Sequence, residues 1–293
     1  MRKLSVIIVT YKNIEIVRNC LDSIQRYNDI GESLEVIVSD NSEDNTLFDT
    51  IRAEYDWIKI IKNENKGFGA GNNRGYEVST GEYLLFLNPD TILIEPVFDF
   101  AVNEFEKHKD LALFGVQLLD AQRKKNTSFL MMDRYGICAT LWVKVCRTLG
   151  WFWDGKMFIS GANLFVRRES FEQAGRFDEK IFMYKEESDL IKRIKQSSTA
   201  KKTKFSPRKH IIHLEGGTET KDTRQVLVQL GRLLDTDRYY ADKWGMDVRR
   251  VYRQKRRYER FKLLCYRLFA SKEKRAYQKS VVDLLSNRLE QIT

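Results

Sequence analysis

The run Leu4–Val9 (LSVIIV) constrains the fold more than any other feature of the chain. A strand built almost wholly of Val and Ile, without polar alternation, is buried on both faces and needs helices packed above and below it. The residues that follow supply them. Val17, Leu21 and Ile24 have helical spacing, and Leu34–Val38 reads as a second strand ending at Asp40. A helix over Glu43–Tyr55, a third strand over Trp57–Ile61, a helix over Gly69–Ser79 and a fourth strand over Tyr83–Leu87 continue the pattern. Such alternation predicts an α/β fold: a mostly parallel, Rossmann-like sheet flanked by helices. In sheets of this kind ligands collect beyond the carboxyl ends of the strands.

Those ends are polar. Thr10 and Tyr11 follow the first strand, Asp40-Asn41-Ser42-Glu43-Asp44 the second, Asn63-Glu64-Asn65-Lys66-Gly67 the third and Asn88-Pro89-Asp90 the fourth. Any one cluster is explained by turn and helix-cap chemistry. Four in succession converge on one rim of the sheet. The glycines of Gly69–Asn73 open a helix whose N-terminus favours anionic groups. They do not spell GxGxxG, and there is no Walker A sequence, so a dinucleotide or ATP site is disfavoured.

Charge divides the 293 residues unevenly. The chain carries a net +10, of which residues 240–293 hold +9. That tail reads as helices. Arg224–Trp244 repeats Val226, Leu230, Leu233 and Leu234; Arg249–Phe269 repeats Tyr258, Phe261, Leu264, Cys265, Leu268 and Phe269; Lys274–Leu289 repeats Val281, Val282, Leu285 and Leu289. Its basic faces call for packing on the body or on a second subunit, as a homo-oligomer, or for an anionic membrane surface met by residues 247–293. No recognition motif accompanies the charge, so nucleic acid is not the expected partner. The Trp-rich stretch Ile137–Trp153 reads either as a core helix or as an apolar lip for a lipid-like substrate. Four scattered cysteines without a CxxC pair, no apolar leader and no run of about 18 apolar residues give the expectation of a cytoplasmic protein, peripheral at most on the inner membrane face.

Six segments occur in order: LSVIIVTY (Leu4–Tyr11), VSDNSEDNT (Val38–Thr46), NENKGFGAGNNRG (Asn63–Gly75), FLNPDT (Phe86–Thr91), SGANLFVR (Ser160–Arg167) and FDEKIFMYKEESDL (Phe177–Leu190). Together they resemble an inverting, nucleotide-sugar-dependent glycosyltransferase of family 2 with a GT-A fold, of bacterial rhamnosyltransferase-like type. The resemblance runs from residue 4 to about 220. It implies a catalytic domain over 1–220, with a nucleotide-binding half to about 92 and an acceptor half over about 93–220. Residues 221–293 then form a helical C-terminal extension. It also implies a nucleoside diphosphate sugar as donor, with L-rhamnose a candidate sugar. The acceptor would be a saccharide, free or lipid-linked, in cell-surface polysaccharide synthesis. Asn88, in place of a metal-binding acid, leaves a catalytically weak sugar-nucleotide-binding protein as the alternative.

The family's residue roles carry over position by position. Thr10 and Tyr11 would line base and ribose, and Asp40 would accept from the pyrimidine N3–H. Lys66, Gly69 and Asn72 would follow the donor. In the Asp-x-Asp position of the family the chain has Asn88-Pro89-Asp90, so Asp90 is kept as a ligand for Mg²⁺ or Mn²⁺, while Asn88 adds no charge but can still bond a ribose or phosphate of the donor. His213, before the loop Leu214-Glu215-Gly216-Gly217-Thr218, would be a second metal ligand or a phosphate contact, and imidazole suits Mn²⁺ better than Mg²⁺. In the acidic pair, Glu187 takes the position of the general base, with Glu186 as the alternative base or the neighbour that tunes it. Gly161 and Ala162 would lie beneath sugar and acceptor. Asp178 would either contact the acceptor or form a turn.

Overall fold

The structure, a computed structural model, describes residues 3–214 and 223–292. The chain forms two compact units. One comprises the described residues of 1–132, 146–182 and 186–217, the other those of 133–145, 183–185 and 218–293.

The first unit is a layered α/β body. Its elements begin with β1 (Leu4–Thr10), α1 (Ile14–Arg26), β2 (Leu34–Asp40), α2 (Thr46–Glu54), β3 (Lys59–Lys62), α3 (Phe68–Glu77), β4 (Tyr83–Leu87), β5 (Thr91–Leu93) and α4 (Phe98–Lys107). There follow β6 (Leu111–Leu119), β7 (Phe129–Met131), α5 (Ile137–Leu149), β8 (Met157–Ile159), β9 (Asn163–Arg167), α6 (Arg168–Gln173), α7 (Glu186–Ser197) and β10 (Lys202–His213). Helix α5 belongs to both units in sequence, dividing after Val145. Eight strands make one sheet in the order β3-β2-β1-β4-β9-β6-β10-β5. β3, β2, β1 and β4 run parallel, as does β10 with β6; β9 and β5 are antiparallel to their neighbours.

Every residue of β1, β2, β4 and β6 is buried, as the unbroken apolar runs require. Asn13 caps α1 by accepting from the Ile16 N–H, and Val17, Cys20, Leu21 and Ile24 form its buried face. Aromatic rings pack on both faces of the sheet: Tyr83, on the face that α1 covers, stacks on Phe105 at 4.8 Å between centroids, and Phe86, on the opposite face, packs edge-on against Phe177 at the same separation. Each such buried ring contributes roughly 1.5–3 kcal/mol.

Several boundaries shift from the sequence reading, and two of the shifts bear on the rim of the sheet. Helix α2 begins at Thr46 rather than Glu43, because Asp40 Oδ1 accepts the Ser42 N–H and Asp44 Oδ1 accepts the Thr46 N–H. These side-chain bonds hold the acidic stretch in a loop. The third strand ends at Lys62, one residue later than read. The Trp-rich stretch is not a core helix: α5 buries Val143 and Cys146 but leaves Leu141, Val145 and Leu149 about half exposed.

The second unit holds α8 (Thr223–Lys243), α9 (Val248–Phe269) and α10 (Lys272–Glu290). The three helices of the tail thus fall where their periodicity put them, although the side chains of Leu268 and Phe269 lie outside the described residues. Leu234, Val251, Tyr252, Val281 and Leu285 form their common core, with Tyr135 packed against it. Asp247 and Ser271 cap α9 and α10. Lys255 pairs with the fully buried Asp237, and the Tyr252 hydroxyl donates to the Leu234 carbonyl. Burial, then the charges of Asp237 and Asp133, push the Tyr135 hydroxyl well above its ordinary range. No helix among the described residues is long and apolar enough to cross a membrane.

Candidate active site

The parallel register aligns the strand ends that the sequence marked. Thr10 stands opposite Asp40, Asp40 opposite Lys62, and Ile8 opposite Leu87, so Asn88-Pro89-Asp90 leaves its strand level with Val9 and Thr10, at the same row. All the candidate residues belong to the first unit.

At one end of the rim, Thr10 is buried and Tyr11 is 45% exposed. The Tyr11 hydroxyl donates to Glu43 at 2.8 Å, and Lys12 pairs with the same carboxylate at 2.8 Å. Lys12 first and Tyr11 second bring the Glu43 carboxyl down to about 2. The Asp40 carboxylate is fully buried, with Oδ1 on the Ser42 N–H at 2.8 Å and Oδ2 on Lys62 Nζ at 2.9 Å. Lys62 escaped the sequence reading because the strand was ended at Ile61. The signal was a lysine at a strand end in parallel register with an aspartate. Asn41, Glu43, Lys62, Asn63 and Asn65 line an open cleft of about 550 Å³ beside this pair.

Further along the rim, β5 turns back antiparallel onto β10 and sets Thr91 opposite His213. This pairing joins two residues more than 120 positions apart. His213 Nε2 lies 3.2 Å from Asp90 Oδ1 and 3.4 Å from Asn88 Nδ2, with both the Asp90 and His213 side chains only about 15% exposed. His213 Nδ1 is buried without a hydrogen-bond partner among the described residues. Cys20 supports the turn from below, its Sγ 3.7 Å from Thr91 Oγ1 and 3.9 Å from the Asn88 carbonyl. Burial pushes that thiol up to about 12, so it packs and does not react. The loop 215–218 that follows His213 lies outside the described residues.

Two consecutive residues then connect this turn to the acidic pair. The Gly161 N–H donates to Glu187 Oε1 at 2.8 Å, and the Asn88 N–H donates to the Ala162 carbonyl at 3.3 Å. A Cβ on Gly161 would lie 2.6 Å from Glu187 Oε1, so only glycine lets the carboxylate rest there. Glu186 is 4% exposed, whereas Glu187 is half-buried. Asp189 is fully buried in an ion pair with Arg193 at 2.7 Å, which gives it a local structural role. Asp178 Oδ1 accepts the Lys180 N–H at 3.0 Å, closing a turn.

The glycine-rich turn is occupied by the protein itself. The Phe68 N–H, at the N-terminus of α3, donates to the Phe182 carbonyl at 2.9 Å, and Gly69 packs on Phe177. Asn73 clamps the same loop through Phe177 and Glu179. Asn72 is fully buried, its Nδ2 donating to the Phe68 carbonyl at 3.0 Å while Oδ1 has no partner among the described residues. Lys66 is largely exposed and pairs with Glu64 at 2.8 Å. The glycines therefore hold α3 against the loop 177–182, a use that the sequence pattern does not distinguish from ligand approach.

Gly67 tests this packing. Its φ of +102° is a glycine conformation, and a Cβ there would lie 2.1 Å from the Phe182 carbonyl oxygen. Gly67→Ala is expected to cost more than about 2 kcal/mol, strain and clash together, read as a lower urea midpoint. Gly175→Ala, at φ +77° in open space, is the control and should cost only about 1 kcal/mol. Equal costs would mean that the loop yields freely to the added methyl.

A mostly parallel sheet with an acidic turn at its rim and a carboxylate seated opposite defines a class, the GT-A glycosyltransferases. The model of glycosyl transferase family 2 matches residues 5–175, and the chain belongs to that family. Rhamnosyltransferase WbbL of Escherichia coli is 26% identical over 225 residues, covering 71% of this chain and 82% of that one. The GalNAc(5)-diNAcBac-PP-undecaprenol beta-1,3-glucosyltransferase of Campylobacter jejuni is 35% identical over 99 residues, 32% of this chain and 31% of that one. The chain spans less than a third of the length of this and other curated relatives that it matches. Among solved structures, the mannosyltransferase PcManGT from Pyrobaculum calidifontis, in complex with GDP-Man and Mn²⁺, superposes with a TM-score of 0.59. That match is 13% identical and covers all of this chain and 89% of that one. It shares the fold.

Proposed function

We propose that this chain transfers a sugar from a nucleoside diphosphate to a saccharide acceptor with inversion, in cell-surface polysaccharide assembly. The carrying observation is the pair of backbone contacts at Gly161 and Ala162. One seats the Glu187 carboxylate, and the other fixes the Asn88-Pro89-Asp90 turn. In this reading Glu187 takes the proton of the acceptor hydroxyl as it attacks the anomeric carbon, and the diphosphate leaves on the opposite side. Glu186, its buried neighbour in sequence, is the alternative base or the partner proposed to tune Glu187.

Asp90 and His213 suit a divalent ion, Mg²⁺ or Mn²⁺. One carboxylate oxygen and one imidazole nitrogen stand 3.2 Å apart on adjoining strand ends. Two protein donors are what such an ion takes when substrate phosphates and water complete its shell. No group of three or more His, Cys, Asp or Glu is arranged to hold a metal among the described residues, in keeping with a site that the donor completes. When bound, the ion would offset the charge that develops on the departing diphosphate.

Thr10 and Tyr11 would line base and ribose, and Asp40 would reach the pyrimidine N3–H once Lys62 turns away. Asn72, Lys66 and Gly69 would shape the donor side through the loop 177–182, and Asp178 would steady that loop below the acceptor. L-Rhamnose is the sugar proposed, from the likeness to WbbL across most of both chains. A lipid-linked acceptor at the inner face of the membrane is proposed from the relative that acts on an undecaprenol-linked saccharide.

A thermal-shift panel of UDP, dTDP and GDP sugars with and without Mn²⁺ tests the reading. A ligand at 100 times its Kd adds about 2.7 kcal/mol to the folded state. dTDP-rhamnose with Mn²⁺ is expected to raise Tm by several degrees and to be consumed when acceptor is added. No shift with any nucleotide sugar would overturn the proposal. A shift without turnover would favour the binding-protein alternative that Asn88 keeps open.

A further inference from the structure

The second unit carries a groove that the transfer chemistry does not use. It lies between α9 and α10, measures about 740 Å³ and opens to solvent. Arg260, Arg267, Lys272, Arg275 and Lys279 line it against one acid, Asp283, and Leu263 and Leu264 supply apolar wall. None of the five cations has an ion-pair partner among the described residues. Three other basic residues of the unit are matched: Lys255 with Asp237, Lys262 with Glu259 and Arg288 with Asp235. The groove is thus a concentration of uncompensated charge.

The outer face of α9 continues it. Arg253, Arg257, Arg260, Leu264 and Arg267 recur every three or four residues and are all exposed, so they form one stripe, with Phe261 at its edge. Phe261 and Leu264 are 46% and 56% exposed. The whole helix holds nine Lys or Arg against a single Glu. The same unit also exposes Leu141 and Val145 in the acid-free first part of α5.

We propose that the α9–α10 groove and the outer stripe of α9 dock on an anionic lipid surface, the five cations meeting headgroup phosphates while Phe261 and Leu264 enter the acyl boundary. Charge selects an anionic partner, and the interleaved apolar side chains select lipid among anions. Basic amphipathic helices bind this way, by apolar burial together with attraction to acidic headgroups. A nucleic acid would satisfy the arginines and leave the two apolar side chains in water. The proposal goes beyond the transfer reaction and does not depend on it.

The experiment is co-flotation of the full chain with vesicles of phosphatidylcholine alone or with about one quarter phosphatidylglycerol. The full chain should float with the anionic vesicles only. Replacing all five groove cations by Gln should lower the partition at least about a hundredfold, since each contributes roughly fivefold near such a surface. The helix-pair core of Val251, Tyr252, Val281 and Leu285 is untouched by these changes. Phe261→Ser with Leu264→Ser, both at exposed positions, is the second variant. It should still bind at low salt and detach at physiological salt. Equal flotation of both variants and the parent would overturn the proposal. So would tighter binding to a DNA duplex than to the vesicles, or a dimer in solution whose dissociation requires the same substitutions. Donor-induced thermal shift, measured on each variant, should be unchanged, which separates failure of docking from failure of the transfer reading.

Discussion

Glu187→Gln is expected to lower the turnover of sugar transfer by about 10²- to 10⁴-fold while leaving donor affinity within about twofold, because a positioned general base contributes that much. The substitution is nearly isosteric. The amide oxygen can still accept the Gly161 N–H that Glu187 Oε1 accepts at 2.8 Å, so the loop 160–163 and its contact with Asn88 should persist. What disappears is basicity. Gly161→Ala approaches the same group from the other side. Its Cβ would stand 2.6 Å from Oε1 and must displace the carboxylate, so kcat is expected to fall tenfold or more with KM for the donor unchanged. A merely structural Glu187 would lower Tm in both variants and turnover in neither. Retention of a tenth or more of parental kcat by Glu187→Gln would falsify its role as base. If Glu186→Gln shows the large loss instead, the base is the buried partner.

The rim of the sheet was legible in the sequence because the physics behind it is local. An unbroken Val/Ile strand must be covered on both faces, its polar residues then fall at the ends, and parallel register sets those ends in a row. Thr10, Asp40 and Asn88 follow from that alone. The tail helices were legible for the same reason, since helical periodicity is written in consecutive turns. Three features were not. The approach of His213 to Asp90 was expected only through the family resemblance, because it depends on β5 folding back against β10, a long-range antiparallel pairing that no short pattern announces. The ion pair of Asp40 with Lys62 depends on register between β2 and β3. The glycines of α3 carry no mark that separates closeness to a ligand from closeness to another part of the chain. In the fold their missing Cβ atoms make room for Phe182, Phe177, Val9 and Ile7. Conversely, the Trp-rich helix looked equally suited to core and to surface, and only the burial of Val143 and Cys146 alone among its residues decides that it faces out.

Asp90→Asn is the second large effect expected: a loss of at least about 100-fold in transfer, together with loss of any Mn²⁺-dependent gain in donor affinity. The turn already has an amide at Asn88, so Asp90 supplies the carboxylate at the His213 position. Removing it leaves two amides and an imidazole, all neutral when the imidazole is unprotonated. A divalent ion bound to the diphosphate would then have no anionic protein ligand, and hard cations depend on such ligands. Folding should be little affected. Among the described residues the Asp90 side chain has His213 as its one ion-pair partner, and the backbone carbonyl that accepts the Leu214 N–H is retained. The opposite substitution sharpens the test. Asn88→Asp adds a second carboxylate to the turn and should lower the Mn²⁺ concentration needed for half-maximal activity, whereas a phosphate-contacting Asn88 would lose donor affinity through the added repulsion. The measurement is initial rate against Mn²⁺ concentration for the parent and the Asp90→Asn, Asn88→Asp and His213→Ala variants after chelator treatment. Superimposable curves for the parent and Asp90→Asn would remove Asp90 from the donor site. A curve shifted by His213→Ala as strongly as by Asp90→Asn would assign both residues to the ion.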